Sequence, residues 1–236
     1  MWNTSIYTFL SPLIPCYSLL FSCYETGTVF AKSFHFSSKE AKDGTLADVN
    51  HLQSTLGVTS IECRGDFDDM NDKIFDEVIS PLNQTKKYKF KCVVLFFLFH
   101  GGQDVKGEYL SLDNDNKMYT QHILNRLTKT ACPALLTQIP LLLFFRCCRG
   151  LARNSLQAPE ATLSSPTTGI PAVSDRLVVW NTPRGYVTTG GRNEGNEPTK
   201  FIKTICDGFK EGWNVSKILR KLHEQAESPN LSLIHI

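Results

Sequence analysis

Surplus charge is what this sequence most lacks. Its 25 Lys and Arg residues face 23 Asp and Glu, for a formal net charge of +2. So small an imbalance gives no general attraction to nucleic acid or to an anionic membrane surface. None of the eight cysteines stands in a Cys-x-x-Cys spacing, so the commonest sequence signal of a structural metal site is missing. The adjacent Cys147 and Cys148 do not suit ordinary disulfide geometry, and reduced thiols in a cytoplasmic protein are expected. Residues 1–24 carry no charged side chain at all. A signal peptide needs a basic start, and Pro12 and Pro15 interrupt the apolar stretch here. That stretch is also too short and too rich in Ser, Thr and Pro to span a membrane. Residues 1–26 therefore read as a leader, disordered or foreign to the domain that follows. Without a secretion signal, the sequons at Asn3, Asn83, Asn214 and Asn230 carry no weight.

What remains is the pattern of one globular domain. The 236 residues are 42% hydrophobic and 20% charged, enough for a substantial core. Residues 92–99 and 139–145 are almost wholly apolar, as strands covered on both faces are. Further strands are expected over 29–36, 61–64 and 177–180. Leu46, Val49, Leu52 and Leu56 recur at helical spacing before Gly57, which predicts a helix over 44–56. Other helices are expected over 68–79, 120–127, 201–209 and 215–226. Strand and helix alternate, which calls for an α/β three-layer sandwich: a mainly parallel sheet of about six strands with helices on both faces.

Both apolar runs end in reactive residues. The first leads into His100-Gly101-Gly102 and the second into Arg146-Cys147-Cys148-Arg149-Gly150. Loops leaving the carboxyl ends of parallel strands converge on one sheet edge, where ligands and chemistry gather. A thiol needs a neighbouring cation or base to become a nucleophile, and an imidazole can supply it. Cys147 reads as core filler; with Cys147 as the nucleophile instead, the Arg149-Gly150 context would fall out of place.

Cys148-Arg149-Gly150, with a His 48 positions upstream (148 against 100), resembles the caspase signature, in which the His lies about 50 residues before the Cys. Arg146 and Cys147 stand where that signature has Gln and Ala. Gly44-Thr45, Asp48 and Leu52 are spaced as in the family's helix start, and Asn181-Thr182-Pro183-Arg184-Gly185-Tyr186 is similar to its small-subunit segment. The chain is thus identified as resembling caspases, cysteine peptidases of clan CD, from about Gly27 to Ala226.

The resemblance implies a nucleophile at Cys148, a proton shuttle at His100, and an oxyanion site made by the backbone amides of Gly101 and Cys148. It places a basic pocket for an acidic substrate residue at Lys42, Arg146 and Arg192, where the family has Arg, Gln and Arg. It divides the chain into a large-subunit-like region, 27–150, an intersubunit linker, 151–174, and a small-subunit-like region, 175–236. The linker contains no Asp, so self-cleavage in the usual place is not expected. A further strand is expected after Ala226, yet Ser232 to Ile236 has no counterpart in the family, so a truncated end with a missing edge strand is expected. Protein substrates and a homodimer are implied, with no metal or organic cofactor, no nucleic acid and no membrane. The function so implied is a cysteine endopeptidase cleaving after an acidic residue, Asp by family habit, in apoptosis or related proteolytic signalling. Two alternatives stay open: a catalytically weak caspase-like regulator that binds caspases or their substrates, and a misassembled product with no stable function.

Overall fold

The structure is a computed structural model describing residues 29–36, 45–63, 65–84, 90, 92–112, 116–127, 139–152, 176–182, 185–186, 197–227 and 234–235. Its centre is β3 (Cys92–Leu98), in which all seven side chains are buried. On one side of β3 lie β1 (Val29–Phe36) and then β2 (Thr59–Cys63), and on the other β7 (Leu141–Arg146) and then β9 (Arg176–Trp180). These five strands run parallel.

Continuous apolar runs are needed because the pleat sends alternate side chains to opposite layers, and both layers are dry. Phe34, Phe97 and Phe145 stack in a row on one face, with ring centroids 5.3 and 4.8 Å apart. Phe96 and Phe144 stack on the other face at 5.1 Å. The Phe96 face is covered by α1 (Thr45–Leu56), α5 (Lys200–Lys210) and α6 (Val215–Glu227) through Leu52, Ile202, Ile205 and Ile218. The Phe97 face is covered by α2 (Phe67–Ile74), a π-helical turn (Phe75–Ile79), α3 (Ser80–Gln84) and α4 (Thr120–Arg126). Among the described residues, no helix is long and apolar enough to cross a membrane.

Local signals account for several boundaries. Asp66 caps α2 by accepting the Asp69 N–H at 2.6 Å, as expected of a carboxylate at a helix start. Gly57 sits at φ 61° directly after α1, where a side chain would be strained. The expected three-layer sandwich is therefore the fold.

Three features depart from the expectation. A separate small sheet is formed by β4 (His100–Asp104), β5 (Gly107–Ser111) and β6 (Lys117–Tyr119), all antiparallel. Its strands are short and mostly half-exposed, and only Leu110 and Met118 reach full burial in β5 and β6. They therefore left no apolar run in the sequence. Second, the residues expected to open an exposed loop at Leu151 begin instead with β8 (Gly150–Ala152), paired in parallel with β10 (Gly185–Tyr186). Residues 153–174 lie outside the described residues, as does the leader. Third, the edge expected to lack a strand carries β11 (Ile234–His235), antiparallel to β9 at Val178 and Val179. Backbone hydrogen bonding makes no demand on side-chain motif, so a tail without a family counterpart can still pair there.

Candidate active site

Strand register brings the two reactive positions together. β3 and β7 pair in step from Val93 opposite Leu141 to Leu98 opposite Arg146. The Phe99 N–H then donates to the Arg146 carbonyl at 3.2 Å, which keeps the two chains together past the last pair. His100 and Cys148 are each two residues beyond that last pair. They leave adjacent strands at the same level, on the carboxyl edge of the sheet. His100 is exposed and Cys148 is half-buried.

Gly101 makes the closest approach. A Cβ at this residue would lie 2.7 Å from the Tyr109 carbonyl oxygen, 2.8 Å from that of Cys148 and 3.0 Å from the Cys147 Cβ. The backbone after His100 is thus pressed directly against the backbone at Cys148, which only a residue without a side chain permits. Gly101→Ala is expected to cost about 2 kcal/mol of stability from overpacking. It should also lower any hydrolytic rate by about a hundredfold, since backbone amides beside a reacting carbonyl lose effect when displaced. Urea denaturation and initial-rate measurements on the same preparation check both.

The two residues flanking Cys148 are fixed by buried contacts. The Cys147 thiol is buried in the core, and burial pushes its pKa far up, so it stays a thiol. Its N–H donates to Asn181 Oδ1 at 3.0 Å, and that oxygen also accepts from Thr182 Oγ1 at 2.9 Å. Cys147 is therefore packing, as its place beside an apolar run suggested. Arg149 is only 3% exposed. Its guanidinium pairs with Glu108 of β5, Nη1 donates to the Thr182 carbonyl at 3.3 Å, and the group lies 4.3 Å from the Trp180 ring centroid. Trp180 in turn stacks on Phe145 at 4.4 Å. This clamp joins the segment after Cys148 to the small sheet that carries His100 and Gly101. Glu108 was not among the residues singled out from sequence, because it sits 41 positions from Arg149 with no motif around it.

Arg146, expected to line an acidic-residue pocket, ends β7 and is held from the side of α1. Its Nε lies 3.0 Å from Asp48 Oδ2, and its Nη1 donates to Thr45 Oγ1 at 2.9 Å. Asp48 is fully buried and also accepts from Thr199, the N-cap of α5, through the N–H at 2.6 Å and the hydroxyl at 3.1 Å. Burial pushes the Asp48 carboxyl above its usual range, against the opposing pull of Arg146 and of both Thr199 donors. Lys42 and Arg192 lie outside the described residues. No group of three His, Cys, Asp or Glu side chains that could hold a metal ion occurs among the described residues.

The family model of the caspase domain matches residues 29–229, which is most of the chain. The chain belongs to the caspase family. Among solved structures, this caspase-family chain is similar to the crystal structure of caspase-1 from Spodoptera frugiperda, with a TM-score of 0.59 and 20% identity over 82% of this chain and 74% of that one. It is also similar to the crystal structure of the Drosophila initiator caspase Dronc, with a TM-score of 0.53 and 18% identity over 82% of this chain and 70% of that one. At such identities the likeness is one of fold. No curated protein sequence matches that of this caspase-family chain.

Proposed function

We propose that this chain is a cysteine endopeptidase that hydrolyses peptide bonds after an acidic residue, with Asp preferred to Glu. The observation that carries the reading is the equal offset of His100 and Cys148 beyond the paired ends of β3 and β7, with Gly101 pressed against the Cys148 backbone. In the first half-reaction His100 takes the thiol proton as the Cys148 sulfur attacks the scissile carbonyl carbon. The negative charge that forms on the carbonyl oxygen is met by the N–H groups of Gly101 and Cys148. Collapse of this intermediate breaks the C–N bond, and His100 returns the proton to the departing amine. Water, deprotonated by the same imidazole, then hydrolyses the thioester and regenerates the thiol. By family analogy the division into large- and small-subunit regions joined across 151–174, a homodimeric assembly, a cytoplasmic site of action and a role in cell death or related signalling belong to the same proposal.

A second reading, a catalytically weak regulator that binds caspases or their substrates, is favoured by one observation. Arg146 already has a carboxylate partner in Asp48 and so has less charge to offer a substrate. Fluorogenic peptides that differ only in having Asp, Glu or Arg before the reporter separate the two. The peptidase reading expects hydrolysis of the Asp peptide, slower release from Glu and none from Arg. No turnover of any peptide, with a caspase captured intact, would favour the regulator.

A further inference from the structure

Arg146 stands two residues before Cys148, half-buried at the end of β7, where a guanidinium needs a counter-charge. A cation held partly out of water is stabilised by an anion beside it. The buried Asp48 carboxylate is such an anion, 3.0 Å from Arg146 Nε. Nη1 donates to Thr45 Oγ1 at 2.9 Å, so the guanidinium plane is gripped at two nitrogens. Asp48 is itself anchored by the two donors of Thr199 at the start of α5. It therefore cannot swing away with Arg146. We propose that Asp48 is a positioning residue that sets charge selectivity beside the nucleophile: it neutralises Arg146 and fixes its plane, so that an acidic substrate side chain meets an oriented N–H donor. This rests on the acidic-substrate reading and adds to it a determinant on α1.

The consequence is specific. Arg146→Gln removes the cation but leaves the Asp48 charge facing an arriving carboxylate, which costs binding of acidic ligands in particular. Adding Asp48→Asn removes that repulsion. The test measures binding, by titration calorimetry, of acetyl-Ala-Ala-Ala-Asp-amide and its Asn counterpart to the full chain carrying Cys148→Ala. In that background, Arg146→Gln is expected to weaken the Asp peptide by about tenfold or more while changing the Asn peptide by less than about threefold. The Asp48→Asn, Arg146→Gln double variant should return the Asp peptide to within about threefold of the parent, the signature of coupled residues. Equal weakening of both peptides, or a double variant that binds the Asp peptide no better than Arg146→Gln, overturns the proposal. Arg146→Lys keeps the charge without the two-point grip and decides the matter if the double variant fails to fold. It should retain an Asp preference between those of the parent and Arg146→Gln, and a preference no better than that of Arg146→Gln overturns the role of Asp48. Failure of the parent to bind the Asp peptide overturns the acidic-substrate reading itself, whereas binding indifferent to positions 48 and 146 overturns only this inference.

Discussion

Glu108→Leu is expected to destabilise the protein by about 3–5 kcal/mol, the scale on which removing one member of a buried ion pair acts. Arg149 cannot adapt by losing its proton, because a guanidinium stays charged at any ordinary pH. At 3% exposure it cannot turn to water either. The Thr182 carbonyl and the Trp180 ring remain beside it as uncharged neighbours. Its counterpart is better placed, since the Glu108 side chain is 14% exposed, so Arg149→Met should cost less than Glu108→Leu. The double variant Glu108→Leu, Arg149→Met should recover much of the loss, because both members of this pair are then gone. Urea denaturation of the four proteins checks the order. A Glu108→Leu variant as stable as the parent would mean that the clamp contributes nothing.

Cys148→Ala is expected to lower kcat/KM for an Asp peptide by about a millionfold, the scale on which removing a covalent nucleophile acts. The reason lies in the surroundings of position 148. The thiol of Cys147 cannot substitute, because it lies in the core with its pKa pushed far up by burial. Cys63 and Cys206 are likewise buried, each pushed to about 12. No thiolate is available from those three near neutral pH. Fold and binding should survive, since the sulfur of a half-buried residue at a sheet edge supplies little packing. Near-parental thermal stability together with lost turnover is therefore the expected pair of results.

The parts of this architecture legible in the sequence are those with local causes. β3 and β7 are covered on both faces, so their apolar runs announce them, and their ends deliver His100 and Cys148. Gly101 reads from sequence as an oxyanion amide; its close approach to the Tyr109 and Cys148 carbonyls shows only in the fold. The small sheet β4–β5–β6 was not legible because two buried side chains, Leu110 and Met118, are enough to hold β5 and β6 in place. Two long-range contacts were hidden for a different reason. Arg149 and Glu108 lie 41 residues apart, and Thr45 grips Arg146 across 101. Only the folded topology brings such residues together. Asp48 carried a partial signal, an acidic residue at the spacing of the family's helix start, but its partners Arg146 and Thr199 could not be read from that. The pairing of β11 with β9 left no side-chain trace either, because two residues of backbone are sufficient.

The claim on which the rest depends is that Cys148 and His100 act as one unit across neighbouring strand ends. The direct measurement is a double-mutant cycle in single-turnover hydrolysis of an Asp peptide by the parent, Cys148→Ala, His100→Ala and the double variant. The account predicts that His100→Ala alone loses most of the rate and that the double variant is scarcely slower than Cys148→Ala, since residues acting together fail to add. A His100→Ala protein that keeps the parental rate, or losses that simply multiply, would contradict it.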